Sequence, residues 1–249
     1  MHVNIFDSCN YRAPVATNPV FLPIMHEKSS VFDMIGPVMI GPSSSHTAGV
    51  VRIARTARKL LGSQPEEADI IFYNSFARTY EGHGSDRAII AGLLDFKTDD
   101  KRIKESLDLA GKMGLKYHFK SVGNASTMHP NTIRITLKKG DHEIEVLGES
   151  KGGGIINIAE VDGFKADFSA NLHTLVIFAD DVKGSIAFIA SILSHDDCNI
   201  ATMSVSRRGK HDQACLVIEM DSGLKPVTLE YLRSLTWVKE VIYIPDIDL

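Results

Sequence analysis

Seven consecutive residues, Gly41-Pro42-Ser43-Ser44-Ser45-His46-Thr47, concentrate hydroxyl and imidazole groups immediately before a segment of helical periodicity. Free backbone amides and the positive end of a helix dipole favour a carboxylate or phosphate at such a place. An imidazole there can move a proton near neutral pH. The same residues also describe a serine-rich helix cap carrying a surface histidine, and the residue types alone do not separate the two readings. They are not a nucleotide-cradling loop, because no Gly-Lys-Ser/Thr follows a glycine at the required spacing.

Four further clusters have chemical content, and each has a plain structural alternative. Gly82-His83-Gly84-Ser85-Asp86 allows close backbone approach around a histidine and also suffices as a turn with Ser85 or Asp86 as helix cap. His129-Pro130-Asn131 holds a histidine at a strand entry, its neighbours fixed by proline. Glu149-Ser150-Lys151-Gly152-Gly153-Gly154 could wrap an anion with its amides or simply turn between strands. Asp180-Asp181-Val182-Lys183-Gly184-Ser185 is a strand-to-helix turn whose helix amides suit a small molecule, or a capping turn. The other histidines, His2, His26, His118, His142, His173, His195 and His211, are scattered and show no HExxH or other metal spacing.

The elements that must position these groups follow from periodicity. After Ser43 the chain places Ala48, Val51, Ala54, Ala57 and Leu61 on one helical stripe and Arg52, Arg55, Arg58 and Lys59 on the other, with Ser44 or Ser45 as N-cap and Gly62 as stop. Strands are expected at 68–76, 115–122, 131–138, 142–148 and 155–161, and helices at 85–94 and 99–113. The glycine triplet and the polar stretch 162–171 loosen the pattern, which puts a domain boundary near residue 170. Beyond it, strands at 173–179, 198–207, 214–221 and 238–244 and helices at 184–193 and 227–235 give the order βαββαβ, the ferredoxin-like arrangement. The fold class is α+β: an α/β domain over 29–170 and a ferredoxin-like domain over 171–249. Residues 1–28 lack periodicity and carry Pro14, Pro19 and Pro23, so they read as a poorly ordered extension, and Met25 is a plausible internal start.

Composition narrows the function classes. With 44% hydrophobic and 23% charged residues over 249 positions, the chain can bury a sizeable core without disulfides. A net charge of -4 and 7% aromatics offer no pull toward nucleic acid or an anionic membrane, so any anion site is local. Cys9, Cys198 and Cys215 are odd in number and widely spaced, which suits a reducing cytoplasm and supplies no ordinary zinc or iron–sulfur site. No apolar run reaches the roughly 18 residues of a membrane span, and the early prolines break any signal-peptide pattern.

Taken together, Ile35-Gly36-Pro37-Val38-Met39-Ile40-Gly41-Pro42-Ser43-Ser44-Ser45-His46-Thr47-Ala48-Gly49, then Gly82-His83-Gly84 with Asp86, then the glycine triplet, resemble the beta subunit of iron–sulfur-dependent L-serine dehydratases over about residues 30–249. The resemblance implies a first domain similar to the allosteric substrate-binding domain of some phosphoglycerate dehydrogenases, followed by an ACT domain. It implies deamination of L-serine to pyruvate and ammonia, with a [4Fe–4S] cluster acting as Lewis acid on the serine hydroxyl while a base removes the α-proton. The cluster's cysteine ligands then belong to a separate alpha subunit. On the same resemblance Ser43, Ser45 and Thr47 bind substrate, and His46 and His129 are the catalytic histidines. Asp181, Gly184 and Asn199 are the effector positions of an ACT unit that pairs with a second copy, although Lys183 replaces the proline usual before the turn glycine. Two other readings use the same loops: a non-catalytic serine-sensing regulatory subunit, and an isolated phosphate-binding protein.

Overall fold

The computed structural model describes residues 38–123, 125 and 127–247; the expected N-terminal extension and the first residues of the motif, Ile35, Gly36 and Pro37, lie outside them. A six-stranded sheet has the order β2-β1-β3-β4-β5-β6, formed by β1 (Glu67–Tyr73), β2 (Lys116–Val122), β3 (Thr132–Lys139), β4 (His142–Gly152), β5 (Ile155–Val161) and β6 (Phe164–Phe168). Only β1 and β2 run parallel; all other neighbours are antiparallel. One face is apolar, through Ile70, Phe72, Ile133, Ile135, Ile144, Val146 and Ile158. The other carries cross-strand ion pairs such as Lys138–Glu143 at 2.7 Å, the division expected of an antiparallel sheet wet on one side.

Helix α1 (Gly49–Leu61) lies across the apolar face, and α3 (Ser85–Leu93) packs on α1. The short α2 (Asn74–Thr79) continues directly from β1, so the expected strand 68–76 ends at Tyr73. The expected helix 99–113 is a 3₁₀ turn, Lys101–Glu105, followed by α4 (Ser106–Lys112). Gly62 at φ 76 terminates α1, its amide donating to the Arg58 and Lys59 carbonyls. The N-terminus of that segment differs from expectation. Ser43, with φ -147 and a side chain accepting from the His46 amide, is the cap, one or two residues ahead of Ser44 and Ser45. The first turn, Ser44–Ala48, is π-helical. π turns cluster at functional sites.

The second sheet has the order β10-β7-β9-β8, from β7 (His173–Asp180), β8 (Ile200–Arg207), β9 (Gln213–Met220) and β10 (Val238–Ile244), with α5 (Ser185–His195) and α6 (Pro226–Arg233) on one face. This is the ferredoxin-like arrangement expected from the sequence. Alternation along its strands sends Leu175, Ile177, Leu216 and Ile218 toward the helices. Val176, Cys215, Val217, Ile242 and Ile244 go into the core of the first sheet instead. The change of sheet near residue 170 is therefore not a break in the core. Strand β6, absent from the sequence expectation, lies in the stretch read as a polar connection; its alternation Phe-Lys-Ala-Asp-Phe follows a buried–exposed pattern.

Gly92 stands where α3 crosses α1, and a Cβ there would collide with the Val51 carbonyl and the Ala54 methyl. Gly92→Ala is expected to destabilise the chain by about 1–3 kcal/mol, the usual cost of overpacking. A urea midpoint unchanged from wild type would show that the crossing can relax.

Candidate active site

His46 sits in the π-helical turn, 8% exposed, with both ring nitrogens engaged. Its Nε2 is 3.1 Å from Thr79 Oγ1, and the Thr79 hydroxyl donates to the Ser75 carbonyl at 2.8 Å. With that proton committed, Thr79 Oγ1 presents a lone pair, so Nε2 carries the imidazole hydrogen and Nδ1 is the free base. Nδ1 faces Ser45 Oγ at 3.0 Å and Ser43 Oγ at 3.3 Å, and both of these serines are half-buried. Phe76 meets the ring edge-on at 4.8 Å, and His83 lies 4.7 Å away between centroids. Burial first, and the His83 charge second, hold His46 below the ordinary histidine value. The result is a neutral imidazole whose basic nitrogen points at two hydroxyls.

The glycine triplet and α1 hold this turn. The Gly153 amide donates to Ser44 Oγ at 3.2 Å, and the buried Ser150 donates its hydroxyl to the Ser45 carbonyl at 2.9 Å. Ser85, at the start of α3, donates to the His46 carbonyl at 3.0 Å. Arg52, read from the sequence as part of the basic stripe opposite the apolar one, is 1% exposed. Its Nη1 donates to the Gly154 carbonyl at 2.6 Å and its Nη2 to Asn171 Oδ1 at 2.5 Å. Burial pulls Arg52 down to about 10, so it stays charged at neutral pH. Of the expected basic face, Arg55 and Lys59 do reach a surface partner, Asp95.

These same segments match known proteins. The family model described as serine dehydratase beta chain matches residues 30–160. A probable L-serine dehydratase beta chain from Bacillus subtilis is 45% identical over 87% of this chain and 98% of its own length. The chain belongs to the serine dehydratase beta chain family. Another relative, the L-serine dehydratase beta chain of Peptoniphilus asaccharolyticus, is 35% identical over 82% of this chain and 91% of that protein. A D-3-phosphoglycerate dehydrogenase of Bacillus subtilis is 34% identical over 37% of this chain and 17% of its own. The solved ACT domain of a GTP pyrophosphokinase from Chlorobium tepidum aligns at 20% identity and a TM-score of 0.24, over 28% of this chain and 94% of that one.

Within the family's matched region, His129 is joined to His46 only indirectly. Its Nδ1 accepts from the Asn131 amide at 3.2 Å, Asn131 accepts from the Ser150 amide at 2.9 Å, and Ser150 reaches Ser45. Asn74 braces the same loop, donating to the Met128 carbonyl at 3.2 Å and the Ala125 carbonyl at 2.9 Å. Thr47 makes no hydrogen bond to His46, Ser43 or Ser45 through its side chain. It is 1% exposed, its hydroxyl unpartnered beneath Gly41, and it borders a separate cavity of about 230 Å³ with His83, Arg87 and Lys104.

The effector positions expected from the resemblance are dispersed in one chain. Asp181 adjoins the Gln213 end of β9, its carboxylate bound by Arg207 and the His211 amide at 3.1 Å each. Gly184 caps α5 at φ 88. Asn199 adjoins the Met220 end, bonded to Asp221 at 2.6 Å. The eight residues of β9 separate Asp181 from Asn199 by roughly 20–25 Å.

Among the described residues no three His, Cys, Asp or Glu side chains converge to hold a metal ion. Cys198 and Cys215 are buried and free, and burial pushes the Cys215 thiol up to about 12. This donor set does not fit an iron–sulfur cluster, whose ligands are exposed to the metal as thiolates.

Burial holds His129 down as it does His46, with the Lys151 charge adding to the effect. Below its ordinary pKa a histidine in the unfolded chain takes a proton that these two resist. Stability is therefore full above about pH 6.5 and is lost as pH falls from there toward the folded values. Replacing both histidines by Gln should flatten the slope of the urea midpoint between about pH 7 and pH 5.5. An unaltered slope would mean that neither ring is held neutral by the fold.

Proposed function

We propose that this chain is the half of a two-subunit L-serine dehydratase that handles the α-proton. The observation carrying this reading is the placement of His46, its Nε2 3.1 Å from Thr79 Oγ1 and its Nδ1 3.0 Å from Ser45 Oγ and 3.3 Å from Ser43 Oγ. A base there can accept the α-proton of an amino acid placed against the serines, while Ser43 and Ser45 hydrogen-bond its polar groups. Loss of the α-proton and of the β-hydroxyl as water turns serine into 2-aminoacrylate, and hydrolysis of its imine form gives pyruvate and ammonia. The resemblance implies that the cluster, and with it departure of the hydroxyl, belongs to the alpha chain. His129 is the second candidate for proton handling. The serine-sensing alternative uses the same loops to bind an amino acid and needs no base among them. Two buried free cysteines accord with a cytoplasmic chain.

We infer further that the chain is organised as two units meeting near residue 170 and that the second pairs with another copy of itself. Strand β8 lies at a sheet edge. On the helical side Ile186, Phe188, Val227 and Tyr231 are exposed. A pair would also provide Asp181 and Asn199 from different chains for an amino-acid effector.

His46→Ala, assembled with an alpha chain of loaded cluster, should lose about 10²–10⁴-fold in serine turnover, the usual contribution of one acid–base group. Folding and assembly should persist, because Ser43 remains the cap. If the assembled variant keeps more than about a tenth of wild-type turnover, well short of that loss, His46 is structural and the serine-sensing reading gains ground.

A further inference from the structure

Among the described residues Arg52 has no carboxylate partner, yet it is buried and both terminal nitrogens are bound to neutral oxygens. Its Nε is also buried and unpartnered. A cation in this setting bears a desolvation cost that a methionine or leucine of similar length would avoid. Core filling therefore does not account for the guanidinium; what it uniquely provides is a planar fork that fixes two separate segments at once. One is the β4–β5 turn at Gly154. The other is the β6–β7 connection at Asn171.

Each arm continues through further hydrogen bonds. From Gly154 the next residue back, Gly153, donates to Ser44 in the turn that contains His46. From Asn171 the backbone amide donates to Ser169 Oγ at 3.3 Å. Ser169 in turn donates from its amide and hydroxyl to Glu219 Oε1 at 3.0 and 2.8 Å, and Thr202 donates to Glu219 Oε2 at 3.0 Å. Glu219 and Thr202 belong to β9 and β8. A polar path thus runs from β8 and β9 of the second sheet, through one buried arginine, to Ser44 in the turn that carries the candidate base.

We propose that Arg52 is a positioning residue that sets the His46 turn and couples it to the second sheet through Asn171. The role of this turn in serine turnover rests on the function proposed above, but the coupling itself does not. Loosening the fork lets the Gly152–Gly154 turn move off Ser44, admits water to the His46 ring and relaxes the burial that keeps its pKa low. A spatial path is only a candidate for coupling, so the test must measure coupling directly.

The experiment titrates His46 by NMR in this chain alone, for wild type, Arg52→Lys, Asn171→Ala and the double variant, with thermal unfolding alongside. Arg52→Lys keeps the charge and removes the fork. Asn171→Ala alters an exposed side chain and keeps the proposal testable if Arg52→Lys fails to fold. Both single variants should move the His46 titration upward toward the ordinary value of about 6.5. The double variant should move it no further than Arg52→Lys, since both break the same connection. In the assembled enzyme Arg52→Lys should lower kcat/KM for serine at least about tenfold, with most of the loss in kcat, as misplacement of a reacting group predicts. Single variants with lowered melting temperature but an unmoved His46 titration would overturn the proposal, as would additive shifts. Shifted titrations without serine turnover in any assembly would leave the coupling intact and count against the dehydratase reading instead.

Discussion

Everything in the first unit depends on how closely α1 can approach its neighbours. Gly49 leaves room for Ser150, where a Cβ would collide with the serine side chain; Gly148 on β4 leaves room for Ile53; Gly92 on α3 leaves room for Val51 and Ala54. Three glycines on three elements thus bring backbone to backbone or side chain without an intervening methyl. The consequence reaches the site directly. Only at this separation can Ser150 bond the Ser45 carbonyl and Gly153 bond Ser44, so the placement of His46 follows from the packing of the helix behind it.

Desolvation then acts on two groups of opposite use. It keeps His46 neutral, which suits a proton acceptor, and it leaves Arg52 charged with only neutral oxygens for company. The first is favourable to chemistry and mild in cost. The second is expensive, and the fold retains it because one guanidinium ties the helix, the glycine turn and the connection between sheets. The π-helical first turn fits the same logic: it lets His46 reach both the serines on its own turn and Thr79 on α2.

Local signals in the sequence were sufficient for most elements. The periodicity of α1, the left-handed glycine at its end, the βαββαβ order and the strands 155–161 and 238–244 agree with the structure because each is dictated by neighbours in the chain. Strand β6 was obscured because only five residues alternate and two of them are charged. The site divides in the same way. Ser43, Ser45 and His46 are adjacent in sequence and their meeting was legible. Thr79 and Asn74 come from other elements with no local mark of their role, Ser150 lies in the glycine-rich run singled out for its amides rather than its hydroxyl, and Arg52 sits at a position whose spacing looks solvated. Helix α1 is buried nearly all round by sheet and α3 together, and a helical stripe read in isolation cannot report a second covering layer.

The separation of Asp181 and Asn199 along β9 has a consequence for how this chain would respond to a small molecule. A ligand touching both ends of one sheet would have to span roughly 20–25 Å, far more than an amino acid does. Any amino acid held by both residues must therefore sit between two chains, and its binding becomes inseparable from their association. By mass action such a ligand tightens the pair, and dilution of the protein weakens its apparent affinity for the ligand. Sensitivity to the metabolite would then be set as much by how much of the protein the cell makes as by the contacts around the ligand itself.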